Sequence, residues 1–132
     1  MQNLSCDVLI IGGGATGVCA AYDLARRGLA VILTDMHDLT TGTSGRFHGL
    51  LHSGARYAVH DQESARECIA ENRILRRIVP HIIEDTGGFF VGAAVDPVDY
   101  AHDWLVGCAA AGIETAEISV AEARRLEPAL RP

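Results

Sequence analysis

The chain has 132 residues and a mass of 14.1 kDa, enough for one small domain or part of a larger one. A hydrophobic fraction of 48% excludes a disordered tail, and 5% aromatics leaves few platforms for stacking single-stranded bases. Eleven Lys and Arg against 17 Asp and Glu give a formal charge of −6, poorly suited to phosphate backbones, so no nucleic-acid partner is expected.

Asp7-Val8-Leu9-Ile10-Ile11 is short, continuous and rich in β-branched residues, which predicts a strand buried on both faces. The turn Gly12-Gly13-Gly14-Ala15-Thr16-Gly17 follows at once. Val18, Ala21, Tyr22 and Ala25 recur at helical spacing and predict a helix from Val18 to Arg27, stopped by Gly28. Ala30-Val31-Ile32-Leu33 predicts a second buried strand ending at Asp35. The order is that of a βαβ unit with parallel strands and a right-handed crossover.

Residues 36–60 lack periodicity and concentrate hydroxyls (Thr40, Thr41, Thr43, Ser44, Ser53) and glycines (Gly42, Gly45, Gly49, Gly54). A loop this long is uncommon unless it holds something. A helix is predicted to start near Asp61 or Ser64, where Ser64 to Glu67 has capping-box spacing. Ala65, Cys68, Ile69, Asn72, Leu75 and Val79 share its buried face, with Asn72 as a satisfied core amide, and Pro80 closes it. Glu63, Arg66, Glu67, Glu71, Arg73, Arg76 and Arg77 form its wet face, with pairs four residues apart. Beyond it, Gly87-Gly88 predicts a turn and Phe89 to Gly92 a short strand. Asp99 to Ala111 predicts a helix ended by Gly112, Glu114 to Ile118 a strand, and Val120 to Leu126 a last helix before Pro128. Two parallel strands do not complete a sheet, so a piece of a longer protein is expected.

Gly12-x-Gly14-x-x-Gly17 has the context a dinucleotide fingerprint needs: a strand before, a helix after, an acid at the end of the next strand. Gly12 permits the tight turn, Gly14 lets the backbone approach a diphosphate, and Gly17 lets helix and strand pack closely. The helix start offers free N–H groups and a positive dipole end. Asp35, 18 residues after Gly17, is placed to accept from ribose hydroxyls and would repel a 2′-phosphate. NAD and FAD both use such a turn. The irregular segment Thr40 to Tyr57 suits a long ligand needing many backbone donors, which favours FAD over a second short βα unit for NAD.

The strings IIGGGATG, TGTSGRFHGLLHSGARYAV and ESARECIAEN together resemble the FAD-dependent glycerol-3-phosphate dehydrogenases, most of all the catalytic large subunit of the anaerobic enzyme. The resemblance is strongest over residues 7–79 and weakens after about residue 90. HGLLHSGARY is its specific part. The aerobic relatives have a similar His-x-Gly-x-Arg-Tyr end but a lysine at the place of Gly49. The resemblance implies an α/β fold: a Rossmann-like FAD-binding βαβ unit, incomplete over residues 1–85, with the beginning of an α+β substrate domain over 86–132. It implies oxidation of sn-glycerol 3-phosphate to dihydroxyacetone phosphate, with hydride passing to FAD. Electrons then leave through iron–sulfur and membrane-anchor subunits toward quinone. It also implies a cytoplasmic location, peripheral on the inner face of the cell membrane.

The site residues that follow are Gly12, Gly14, Ala15, Thr16, Gly17, Asp35, Thr43, Ser44, Leu50, Leu51 and His52 for FAD, and Arg56 and Tyr57 for substrate. Arg56 supplies the guanidinium fork a phosphate dianion wants, and Tyr57 one more donor. His48 and His52 are candidates for orienting the loop or bonding flavin, and either is open as the catalytic base, with His52 the named candidate. Arg46 is a candidate for the pyrophosphate, with a solvated loop charge as the open alternative. The cysteines Cys6, Cys19, Cys68 and Cys108 form no CxxC pair, and His60, His81 and His102 have no ligand spacing, so no metal is expected, and the thiols are read as reduced in a cytosolic protein. No signal peptide is visible, and no stretch approaches the ~20 apolar residues of a membrane span. Two other readings stay open: an FAD oxidoreductase acting on an amine or amino acid, and a non-catalytic nucleotide-binding module. With the downstream substrate-site residues absent, these 132 residues alone are expected to be inactive and poorly folded.

Overall fold

The computed structural model describes residues 3–92 and 95–130. The chain forms two compact units, Met1–Gly49 and Leu50–Pro132.

The first unit contains β1 (Val8–Ile11), α1 (Ala15–Arg26), β2 (Val31–Thr34) and a 3-10 turn at Thr43–Gly45. β1 and β2 are parallel, with Val8 opposite Val31 and Ile11 opposite Thr34. Asp7 ties the start of the ladder. Its carboxylate accepts from the Ala30 amide at 2.7 Å, and its own amide donates to the Ala30 carbonyl at 2.8 Å. α1 ends in a Schellman arrangement, with the Leu29 amide on the Leu24 carbonyl and the Gly28 amide on that of Ala25. This turns the chain back toward β2.

α1 begins at Ala15 rather than Val18, so Ala15, Thr16 and Gly17 are helical and the fingerprint overlaps the helix. Nor is β1 buried on both faces: Val8 and Ile10 are half-buried, whereas Leu9 and Ile11 are 55% and 84% exposed. Burial of a parallel strand needs layers on both sides, and α1 supplies one, meeting Ile10 at Gly17.

The second unit contains a 3-10 turn at Ala55–Tyr57, α2 (Gln62–Ile78), a 3-10 turn at Pro80–Ile82, α3 (Tyr100–Ala111) and α4 (Val120–Leu126). The N-cap of α2 is Asp61, not Ser64. Its Oδ1 accepts from the Ser64 amide at 3.0 Å and its Oδ2 from the Ser64 hydroxyl at 2.6 Å. A carboxylate suits the positive helix end better than a hydroxyl does, so Ser64 serves as donor inside the first turn. Ala65 and Asn72 are buried, and Cys68, Ile69, Leu75 and Val79 are half-buried, the face that the spacing predicts.

The core is made of Ala55, Ala58, Ala65, Cys108, Ala111 and Ile113, with Ile69 and Trp104 packed on it. Its side chains are small, so α2 and α3 approach the 55–58 turn closely. Gly107 presents bare backbone to the Ala58 carbonyl, where a Cβ would overlap. Burial pushes the Cys108 thiol up from its ordinary value.

Residues 89–92 and 114–118 are not strands, because among the described residues neither meets a partner with which to share a ladder. Phe90 instead lies 4.6 Å, centroid to centroid, from Trp104. The pairs expected within α2 are also replaced. Arg73 donates to the Gly112 carbonyl at 2.7 Å, and Arg76 reaches Asp85 at 3.3 Å. Among the described residues no helix is long and apolar enough to cross a membrane.

Candidate functional site

The glycine turn joins β1 to α1. Gly12 has φ +111°, a left-handed conformation that glycine adopts without strain, and its amide continues the sheet by donating to the Thr34 carbonyl at 2.8 Å. Gly17 lies where the first turn of α1 crosses the strand end. A Cβ there would overlap the Gly12 carbonyl oxygen, so the close helix–strand packing expected of Gly17 is present. At Gly14 a Cβ would come to 3.0 Å from the Ser44 hydroxyl.

Asp35 stands against this turn. Its Oδ2 accepts from the Gly13 amide at 2.6 Å and its Oδ1 from the His37 amide at 2.8 Å. The amides of His37 and Gly13 hold its carboxyl below the usual carboxylate range. The segment after Asp35 returns to the same place. Thr40 donates its amide to the Gly13 carbonyl at 3.0 Å, and the Ser44 hydroxyl accepts from the Ala15 amide at 2.9 Å. Ser44 thereby serves the first N–H of α1, which its N-cap Gly14 cannot do with a side chain. Thr43 is exposed in the same 3-10 turn. The amides of Thr16 and Gly17 have no acceptor among the described residues. A groove lined by Ile11, Gly12, Thr34, Asp35 and Met36 opens at the C-terminal ends of the two strands, where ligands of open parallel sheets bind.

These features fit a diphosphate nucleotide. The Thr16 and Gly17 amides at the helix start have no acceptor among the described residues, the glycine positions carry no side chain, and a carboxylate stands beside the turn for a ribose. In this unit the structure brings together Gly12, Gly14, Ala15, Thr16, Gly17, Asp35 and Ser44.

In the second unit, Leu51 is half-buried and Leu50, His52 and Arg56 are exposed. Gly54 has φ +88° and lies against Ala65 of α2, where a Cβ would meet the Ala65 carbonyl. This contact opens the 3-10 turn that carries Arg56 and Tyr57. Tyr57 is 43% exposed, and Arg56 takes part in none of the ion pairs of the described residues, Asp23–Arg27, Arg76–Asp85 and Glu122–Arg125. Both side chains are therefore accessible to an anionic ligand.

Three residues that sequence reasoning did not assign to the site hold this segment. Asn72 donates to the carbonyls of His52 at 3.0 Å and Leu51 at 3.4 Å. Trp104 donates its indole N–H to the Ala55 carbonyl at 2.8 Å. Gln62 Nε2 donates to the carbonyls of Ala58 and Gly107. An amide on an apolar helix face was the visible signal for Asn72, but not the identity of its acceptors. Among the described residues, no group of three or more His, Cys, Asp or Glu is gathered as metal ligands would be.

The sequence profile of the family described as FAD dependent oxidoreductase, DAO, matches residues 7–132. The chain belongs to this family. Within it, the chain is 52% identical over all of its 132 residues to the A-subunit of anaerobic glycerol-3-phosphate dehydrogenase of Haemophilus influenzae, covering 23% of that protein. It is 54% identical over 128 residues to the A-subunit of the Escherichia coli enzyme, which is 97% of this chain and 24% of that one. It is 56% identical over 126 residues to the A1-subunit of the Haloferax volcanii enzyme, or 96% of this chain and 22% of that one. The chain spans about a quarter of the length of the curated relatives it matches. No solved structure matches it at a significant level. The family's cofactor is FAD, in agreement with the choice of FAD over NAD, and the donor set around the glycine turn fits its diphosphate.

Proposed function

We propose that the protein is an FAD-dependent dehydrogenase that oxidises sn-glycerol 3-phosphate to dihydroxyacetone phosphate. The observation that carries this reading is the β1–glycine turn–α1–β2 unit with the Asp35 carboxylate against the Gly13 amide, in a chain 52% identical over its whole length to part of a glycerol-3-phosphate dehydrogenase. Bound FAD supplies the two-electron acceptor.

The chain's residues do the rest. Gly12 and Gly14 leave the backbone without a side chain toward the diphosphate, the amides of Thr16 and Gly17 would donate to it beside Ala15, whose own amide is on Ser44, and Asp35 would take ribose hydroxyls. Thr43 and Ser44, and in the second unit Leu50, Leu51 and His52, would hold the flavin, with His52 as candidate base for the substrate hydroxyl proton. Arg56 forks the substrate phosphate and Tyr57 adds one donor. Residues 1–85 belong to the flavin-binding part, and 86–132 begin a substrate domain. The relatives are each named as one component of a larger enzyme, which supports further subunits. We assign these to iron–sulfur and membrane-anchor proteins that hold the enzyme on the cytoplasmic face of the membrane and pass electrons to quinone.

The test is optical. The intact protein, purified with FAD, is expected to be yellow, and glycerol 3-phosphate added without oxygen is expected to bleach the flavin band. A colourless protein that takes up no FAD overturns the reading. So does a yellow one bleached by an amine or amino acid but not by glycerol 3-phosphate.

A further inference from the structure

Asn72 is 6% exposed on the apolar face of α2. A buried amide there is tolerated only if its hydrogen bonds are made, and these are. Nδ2 donates to the carbonyls of His52 and Leu51, and Oδ1 accepts from Arg76 Nε at 3.0 Å. Arg76 in turn reaches Asp85. A cation on the amide oxygen draws electron density from the nitrogen and strengthens its donors. Two successive carbonyls gathered by one amide fix the peptide between them, and with it the directions from which the Leu51 and His52 side chains leave the backbone. The neighbouring turn is anchored separately, by Trp104 on the Ala55 carbonyl and by Gly54 against Ala65.

We infer that Asn72 is a positioning residue, whose side-chain amide sets the backbone of Leu51 and His52 for their place along the flavin. The inference rests on the reading proposed above. The side chain of Asn72 is engaged by the two carbonyls and by Arg76. It acts through the two carbonyls, so its loss displaces the loop by a fraction of a residue length without removing any group that reacts.

Asn72→Asp in the intact, flavin-loaded enzyme tests this. The aspartate keeps the volume and the Arg76 partner but turns two donors into acceptors that face two carbonyls. We expect kcat with glycerol 3-phosphate to fall about 10²-fold, the usual cost of misplacing a reacting group by about 1 Å. KM should change little, because Arg56 and Tyr57 sit on the separately anchored turn. The visible spectrum of bound flavin should shift, and backbone amides of residues 50–54 should exchange faster in protein stripped of flavin. Unchanged exchange overturns the inference. Faster exchange with unchanged spectrum and kcat overturns it equally, since the anchor would then position nothing. If glycerol 3-phosphate fails to bleach the unsubstituted enzyme, the functional reading has failed instead, and the spectrum and exchange of Asn72→Asp still decide the role of Asn72. Should Asn72→Asp not fold, Arg76→Leu leaves the amide in place without the cation behind it. It predicts smaller changes in the same direction, and their absence overturns the inference.

Discussion

Gly17 sits where α1 comes nearest to the strand end, and the Gly12 carbonyl occupies the space a side chain would need. Gly17→Ala is therefore expected to cost about 1–3 kcal/mol by overpacking and to weaken FAD uptake, measured by denaturant unfolding and by flavin titration. Asp35 carries a pH signature. Its carboxyl is held low by the His37 and Gly13 amides, so the stability it contributes is present above the ordinary aspartate value of about 3.9 and is lost as pH falls through the lowered one. Asp35→Asn should flatten that part of the acid unfolding profile, and an unaltered profile would count against the assignment. On the proposed reading, Arg56→Ala is expected to raise KM for glycerol 3-phosphate at least about tenfold, the loss of one charge-assisted pair, with a smaller change in kcat. Steady-state kinetics on the intact enzyme would show it. Much of this scale was legible in the sequence, because glycines and a strand-end acid announce themselves by spacing. The partners of Asn72 and Trp104 were not, since their acceptor carbonyls lie 20, 21 and 49 residues away.

Helices were legible where their ends are written in local chemistry. α4 runs from Val120 to Leu126 as its spacing predicts, with the Ser119 hydroxyl accepting from the Glu122 amide, and α3 stops at Gly112, φ +78°. Strands at 89–92 and 114–118 were misread because a strand is defined by a partner and β-propensity names none. The start of α2 stays open between Asp61 and Ser64 in the sequence because both suit a cap, and only the geometry shows that Asp61 accepts. Asp61→Ala should lower stability measurably, as loss of an N-cap does, and Ser64→Ala clearly less. The reverse order in urea unfolding would restore the Ser64 capping box. The Asp61 carboxyl is held low chiefly by the Ser64 hydroxyl, so this contribution too should fade as pH falls below about 3.9.

As a whole, the chain leaves much apolar surface uncovered. Leu9 and Ile11 project from a two-stranded sheet, and both edges of that sheet lack a further strand among the described residues. Open parallel edges and bare faces of this kind seek partners. Expressed alone, residues 1–132 are expected to bind a hydrophobic dye strongly and to self-associate, by dye fluorescence and size-exclusion chromatography. A monodisperse, dye-silent product would show that the exposed faces are tolerated.

Trp104 is the single tryptophan in these 132 residues, and its indole N–H is bonded to the turn that carries Arg56 and Tyr57. The segment therefore contains its own fluorescent reporter. Any anion that draws the turn toward itself strains or breaks that bond and changes the polarity around the indole. Substrate arrival should thus register as a change of emission colour before a single electron has moved.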